Sequence, residues 1–119
     1  MKDKNKIIAD KILSYTNEIL SYVDGMSFNE FTSDTRTINA CAFLIGQIGE
    51  SIKKLSDDFI NKNAEIPWRN IRGMRNRIIH DYESIDLEIL WVTSSENIKI
   101  LANQLECILQ IDDKESSES

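Results

Sequence analysis

The chain has 119 residues, of which 41% are hydrophobic and 29% are charged, as expected for one globular domain. Four glycines and one proline are too few for the many turns of an all-β fold. The two cysteines, Cys41 and Cys107, indicate neither a disulfide framework nor a metal-binding pattern, which favours a reducing compartment. The charged N-terminus leads into a broken apolar pattern, unlike a signal peptide or a membrane span. We therefore predict a cytoplasmic protein.

Apolar residues at helical spacing predict an all-α fold, an up-down bundle of four main helices with one short connecting helix. The first main helix is predicted over residues 4–24 and is expected to stop at Gly25. Ser27 and Glu30 have the spacing of a capping box, which predicts that the short helix begins there.

The second main helix is predicted over residues 34–55. Gly46 and Gly49 lie beside its apolar arc, where they allow another backbone to come close. A polar link follows over residues 56–65. Pro67 then suits the first turn of a third main helix, which is predicted to continue to about His80.

The fourth main helix is predicted to begin near Asp86 and carries a single apolar stripe. The chain after Ile111 is acidic and rich in serine. We therefore predict a helical domain over residues 1–111 and a disordered acidic tail over residues 112–119.

The charge of the chain is unevenly distributed. The formal net charge is −6, yet Arg69, Arg72, Arg75 and Arg77 lie close together with no acidic residue between them. A basic segment on an acidic body indicates a local binding site, since a general polyanion-binding surface requires a basic protein.

Placed on a continuous helix, Arg75 falls within the apolar arc of the third main helix, and Arg72, Asn76 and His80 align beside that arc. A buried guanidinium needs an anionic partner. The candidates are an acidic side chain such as Glu50 and a substrate phosphate. No grouping of carboxylates and histidines indicates a metal site.

Each of these residues also has a purely structural interpretation. Arg75 can pair with an acid at the edge of the bundle, and His80 can cap its helix, where the helix dipole favours a cation. Tyr82 can pack against the bundle with its hydroxyl in water. Taken one at a time, they identify no function.

Taken together, Arg75, His80 and Tyr82 form an R-x4-H-x-Y motif. The motif, with Ile66-Pro67-Trp68-Arg69 before it and Gly49-Glu50 earlier in the chain, resembles the HepT-like toxins of the HEPN superfamily. The resemblance extends from the first helix to about Ile111.

This resemblance implies an all-helical toxin of a type VII-like toxin–antitoxin system, whose antitoxin is a minimal nucleotidyltransferase. It implies a metal-independent endoribonuclease that needs no cofactor and acts on RNA as a homodimer through the motif region. Arg75 and His80 would be catalytic, and Tyr82 would be the tyrosine that the antitoxin modifies with AMP. Asn76 would support His80, and Asp81 is a weaker candidate.

The chemistry of the residues agrees with these roles. Histidine transfers protons near neutral pH, and the planar guanidinium of arginine matches phosphate oxygens. Arg69 and the supporting residue Arg72 are suited to flanking phosphates. His80 is the single histidine of the chain, so an acid–base pair of two histidines requires a second protomer. The alternative hypothesis is a catalytically inactive helical binding module that binds a nucleotide or the partner transferase.

Overall fold

The all-α fold is confirmed in the computed structural model, which describes residues 3–79 and 84–118, with the side chains of the last helix described as far as Gln110. Within these ranges the chain is helical apart from its connections and one isolated antiparallel bridge, between Ile79 and Ile85. The helices are α1 (Lys4–Val23), α2 (Phe28–Thr32), α3 (Thr35–Ile52), α4 (Asp57–Lys62), α5 (Trp68–Arg72), α6 (Met74–Ile78), α7 (Leu87–Val92) and α8 (Ile98–Glu118).

The centre of the bundle is formed by α1, α3 and α8, with α1 packing on both of the others. Branched aliphatic side chains fill this core, and each contributes about 1.5–3 kcal/mol when fully buried. The fully buried members include Ile12, Ile19, Ile45, Ile48, Leu101 and Leu105. The two short helices α5 and α6 pack on the side of α3.

Both predicted signals at the start of the chain are confirmed. Helix α1 ends at Val23, and Gly25 follows with a φ of 74°, a left-handed conformation that glycine adopts without strain. In the capping box, the Glu30 amide donates to Ser27 Oγ at 3.1 Å and the Ser27 amide donates to Glu30 Oε1 at 2.9 Å. The backbone amide of Ser27 stabilises the carboxylate, which lowers the pKa of Glu30.

The polar link over residues 56–65 contains a helix that was not predicted, α4. Ser56 caps this helix by accepting a hydrogen bond from the Phe59 amide at 3.2 Å, and Asp57 and Asp58 in its first turn suit the helix dipole. The Asn5 side chain fixes the same cap, since its amide donates to Ser56 Oγ at 2.9 Å and its carbonyl accepts from the Ser56 amide at 3.0 Å.

The prediction of one continuous third helix is wrong. Gly73, with φ −86° and ψ −2°, separates α5 from α6, and its ψ is far from the value of about −42° in an α-helix. The Arg77 guanidinium stabilises this break, because its Nη2 donates to the carbonyl oxygen of Asn70 at 3.0 Å.

The fourth main helix is divided as well. Asp86 caps α7 as predicted, accepting from the Ile89 amide at 3.1 Å, but a π-helical turn over Thr93–Asn97 separates α7 from α8. Helix α8 continues to Glu118, past Ile111, and the domain boundary there stays a prediction. None of the described helices is long and apolar enough to cross a membrane.

Candidate functional site

The arginine-rich segment occupies the solvent-facing side of α5 and α6. Trp68, Ile71, Met74 and Ile78 are buried, and they attach the two helices to α3. The indole Nε1–H of Trp68 donates to the carbonyl oxygen of Asn63 at 3.1 Å, and its ring packs on Phe59 with the centroids 6.1 Å apart. Because the apolar side of α5 and α6 packs on the bundle, the opposite side, which carries the arginines, faces solvent.

The structure corrects the position of Arg75. We expected its side chain within the apolar arc, but the residue is exposed. Within α6 the buried residues are Met74 and Ile78, and Arg75 lies beside them, about 100° from Met74 and about 60° from Ile78 around the helix axis. The side chain lies instead over Gly46 of α3, where an added Cβ would come within 3.2 Å of Arg75 Cδ.

The expected close approach at Gly49 is confirmed. A Cβ at this position would lie 3.2 Å from the carbonyl oxygen of Arg72, so α3 and α5 meet backbone against backbone. The two glycines of α3 therefore have different neighbours. Gly49 admits the main chain of α5, and Gly46 admits the side chain of Arg75.

A basic groove of about 370 Å³ opens between α3 and the α5–α6 pair. It brings together Arg75, Arg72 and Asn76, three of the residues that the sequence predicted for the site. Arginine and lysine side chains dominate its walls, with a single carboxylate among them. The lining residues are Gly46, Gly49, Glu50, Lys53, Arg69, Arg72, Gly73, Arg75 and Asn76.

A second groove, of about 340 Å³, lies on the other side of Arg75, and we call it the apolar groove. Gly46, Glu50 and Arg75 line both grooves, so that the Arg75 side chain stands at their common border. The other lining residues of the apolar groove are Ala42, Phe43, Gln47 and Ile79.

Of the two candidate partners of Arg75, Glu50 does not pair with it. Glu50 Oε1 accepts instead from Lys53 Nζ at 3.0 Å, and both side chains are more than half exposed, so that this pair adds less than about 1 kcal/mol to stability. Within the part of the chain that the structure describes, the Arg75 guanidinium has neither a hydrogen bond nor an ion pair. The groove thus presents an exposed cation that has no partner among the described residues.

The remaining predicted residues, His80, Asp81 and Tyr82, lie outside the described residues. Described residues fix the chain on both sides of them. The Ile79 amide donates to the Arg75 carbonyl at 2.9 Å, the Asp86 amide donates to the Ile78 carbonyl at 2.8 Å, and Ile79 pairs with Ile85.

Three lining residues, Phe43, Gln47 and Lys53, were not among the predicted site residues. The signal for them was present in the sequence, because Phe43, Gln47 and Glu50 recur at intervals of three to four residues and share one face of a helix with Gly46. In residues 3–79 and 84–118, no three His, Cys, Asp or Glu side chains are grouped as a metal site would require.

Comparison with known proteins identifies the family. The family model described as "Ribonuclease HepT-like" matches residues 12–108. The chain is 37% identical over 90 residues to "Putative RNase MJ0127" of Methanocaldococcus jannaschii, covering 76% of this chain and 74% of that protein. It is 32% identical over 106 residues to "Probable ribonuclease HepT" of Thermococcus cleftensis, covering 89% of this chain and 96% of that protein.

A third relative, "Putative RNase TTE0752" of Caldanaerobacter subterraneus subsp. tengcongensis, is 34% identical over 101 residues, covering 85% of this chain and 90% of that protein. No solved structure matches the chain significantly. The family match includes α3, α5 and α6, and hence the whole of both grooves. The chain therefore belongs to the HepT-like ribonuclease family.

Proposed function

We propose that the protein is a metal-independent endoribonuclease that acts in the cytoplasm as a homodimer, with Arg75 and His80 as its catalytic residues. The observation that carries this proposal is the basic groove. Arg75, the first residue of the motif, is exposed there and has no partner among the residues that the structure describes, and it lies between Arg69 and Arg72 on one side and the apolar groove on the other. A groove of this charge is complementary to a phosphodiester backbone.

Cleavage would proceed through the ribose itself. The 2′-oxygen attacks the neighbouring phosphorus while a base removes its proton, and the 5′-oxygen of the next nucleotide leaves with a proton from an acid. Negative charge accumulates on the phosphoryl oxygens of the transition state, and the forked guanidinium of Arg75 is suited to stabilise it. His80, five residues later in the motif, would transfer the protons.

Two further residues of the basic groove support these roles. Arg72 is exposed at the end of α5 and lines the groove, where it would bind a flanking phosphate together with Arg69. Asn76 follows Arg75 on α6 and lines the same groove, and its amide would orient His80 or the substrate.

The homodimer is proposed because the chain contains one histidine, whereas the two proton transfers are most simply divided between two imidazoles. The motifs of two protomers would then form one composite cleft. Sedimentation of the purified protein over a wide concentration range tests this point. A mass that stays monomeric at every concentration would exclude it.

We further propose that the enzyme is the toxin of a HEPN/MNT toxin–antitoxin system, and that its cognate nucleotidyltransferase antitoxin silences it by adding AMP to Tyr82. Tyr82 is two residues beyond His80 in the motif. A nucleotide attached there would add bulk and a negative phosphodiester near the residues that receive the RNA phosphate.

The second candidate function is a catalytically inactive module that binds a nucleotide or the partner transferase. The observation that favours it is the Glu50 carboxylate, which lines both grooves and repels a polyanion more than a small ligand. The net charge of −6 also disfavours the binding of a polyanion such as RNA.

One experiment separates the two functions. Purified protein is incubated with structured and single-stranded RNA in excess EDTA, and wild type is compared with Arg75→Ala, His80→Ala and the control variant Arg36→Ala. Arg36 is an exposed arginine in the first turn of α3 that lines neither groove. We expect wild type and Arg36→Ala to cleave the RNA, and Arg75→Ala and His80→Ala to leave it intact. Equal cleavage by wild type and His80→Ala would overturn the proposed mechanism.

A further inference from the structure

Phe43 is unusual among the side chains of α3. Its side chain is 65% exposed, more than any other large hydrophobic residue that the structure describes. All of α3 lies within the described residues, and Phe43 is its one exposed large apolar side chain. A phenylalanine side chain in water does not gain the favourable free energy of burial. An exposed ring at this position therefore indicates a partner that covers it.

The neighbours of Phe43 define the chemistry of that partner. The apolar groove offers the Phe43 ring, the half-buried amide of Gln47, and the guanidinium of Arg75 at its border with the basic groove. An aromatic face, a hydrogen-bonding amide and a cation are the groups that bind the base face, the base edge and the phosphate of one nucleotide. The groove therefore presents one group for each of these three parts of a nucleotide.

A protein partner fits this surface less well. A stable protein–protein contact buries about 800 Å² on each side, with a contiguous apolar centre. On the exposed face of α3, Phe43 lies between Asn39 and Glu50, both polar and exposed. A single exposed aromatic ring, with polar residues before and after it on this face of α3, suits a flat base, which needs one stacking platform.

We propose that the apolar groove is a base-binding subsite, in which Phe43 stacks on the base of single-stranded RNA adjacent to the phosphate held by Arg75, and Gln47 hydrogen-bonds the edge of that base. The subsite rests on the proposed function, because it assigns the nucleotide beside the reacting phosphate. Unpaired bases are accessible to such a platform, whereas bases in a duplex are already stacked. The enzyme would then select single-stranded segments of its substrate.

The test measures binding separately from cleavage. The probe is a single-stranded oligoribonucleotide with 2′-O-methyl groups, so that it lacks the attacking hydroxyl and is not cleaved. It is compared with a series of the same strand in which each member lacks one base. Wild type should bind the strand that lacks the stacked base about five- to a hundredfold more weakly than the intact strand. Phe43→Ala should bind these two strands with equal affinity, and Phe43→Trp should restore the difference.

Ile100→Ala is the matched control. Ile100 is a large apolar side chain, 58% exposed, on α8 and outside both grooves, and its loss should leave the preference for the intact strand unchanged. Circular dichroism should show wild-type helicity for every variant, since none of the replaced side chains is buried.

The outcomes distinguish the subsite from the proposed function. Base-dependent binding that requires Phe43, without cleavage of unmodified RNA by wild type, would support the subsite and overturn the nuclease. Cleavage by wild type with no effect of Phe43→Ala on affinity or rate would overturn the subsite alone. Conversion of a dimer to a monomer by Phe43→Ala would show that the ring contacts a second copy, which also overturns the subsite. No binding of RNA by wild type would overturn both.

Discussion

The side chain of Arg75 lies over the backbone of Gly46, so that a Cβ added at residue 46 would stand 3.2 Å from Arg75 Cδ and 3.5 Å from Nε. A residue of α3 without a side chain thus decides where the motif arginine can lie. The neighbouring glycine, Gly49, makes a contact of the same length with the carbonyl oxygen of Arg72. The two contacts differ in what can move, and two predictions follow from this difference.

We expect Gly46→Leu to separate activity from stability. The leucine side chain would displace the flexible Arg75 side chain, and a shift of about 1 Å in a catalytic group lowers rates by about a hundredfold. The free energy of unfolding should stay the same or rise by up to about 1 kcal/mol, because glycine is a poor helix former. RNA cleavage assays and urea denaturation measure the two effects. Unchanged cleavage with normal folding would show that Arg75 does not act from this position.

Gly49→Ala should have the opposite effect. Its Cβ would meet a main-chain oxygen, which cannot move without separating α5 from α3. We expect the free energy of unfolding to fall by about 1–2 kcal/mol, because the strain of overpacking exceeds the gain in helix propensity. Urea denaturation measures the loss. An increase in stability would contradict the close backbone contact.

Arg75→Lys tests whether the shape of the cation matters in addition to its charge. A lysine ammonium keeps the positive charge but lacks the planar fork that binds two phosphate oxygens at once. We therefore expect Arg75→Lys to cleave RNA nearly as poorly as Arg75→Ala, at least about tenfold below wild type. Arg36→Lys is the control and should cleave normally. If Arg75→Lys matches wild type, Arg75 contributes only a general positive potential.

Co-expression with the cognate nucleotidyltransferase should add AMP to Tyr82 and to no other tyrosine. Tyr15 is half-buried, and the Tyr22 hydroxyl donates to Glu18 Oε2 at 3.1 Å, which raises the pKa of Tyr22, so that less phenolate forms at a given pH. Peptide mass spectrometry locates the added group. Tyr82→Phe should remain unmodified and active in the presence of the transferase, whereas Tyr22→Phe should be modified and silenced like wild type. Modification of Tyr15 or Tyr22 with Tyr82 untouched would refute the assignment.

The two thiols should differ strongly in reactivity. Cys41 is fully buried in α3, and burial raises the pKa of its thiol, so that less of the reactive thiolate forms at a given pH. Cys107 is exposed on α8. At mildly alkaline pH an alkylating reagent should modify Cys107 first and Cys41 at least about a hundredfold more slowly, through opening of the fold. Mass spectrometry of wild type and Cys107→Ser follows both reactions, and rapid labelling of Cys41 would contradict the packed core.

The sequence predicted best those features that local chemistry determines. The end of α1 at Gly25 and the capping box of Ser27 and Glu30 depend on residues within one turn, and both are confirmed. The start of α4 has an equally local signal, with Ser56 before two aspartates. It was overlooked because the polar composition of the segment was interpreted as a loop.

The breaks in the helices could not be predicted in this way. Nothing in the local sequence distinguishes Gly73 from a glycine inside a continuous helix, because the break depends on the approach of Arg72 to Gly49 and on the bond from Arg77 to Asn70. The π-helical turn over Thr93–Asn97 falls in a polar gap of the apolar stripe, where the spacing of apolar residues predicts no particular helix type.

The same limit applies to the site. Arg75, Arg72 and Asn76 were identified from the motif and its surroundings, and the structure brings them into one groove. The exposure of Arg75 was not predicted, because the apolar arc was continued across the break at Gly73, whereas α6 itself buries Met74 and Ile78 alone. Lys53, just after α3, lines the same groove, and Phe43 and Gln47 of α3 line the apolar groove beside it. Which face of α3 meets α6 is a matter of tertiary packing.

The bridge between Ile79 and Ile85 joins the end of α6 to the chain just before α7. Ile78, just before the bridge, is buried, and the Asp86 amide, just after it, donates to the Ile78 carbonyl, so the end of α6 is bonded directly to the residue that caps α7. The residues between Ile78 and Asp86 include the histidine and the tyrosine of the motif. We therefore expect substitutions of His80 or Tyr82 to change catalysis or its control, while α6 and α7 remain joined through the backbone bond between Ile78 and Asp86.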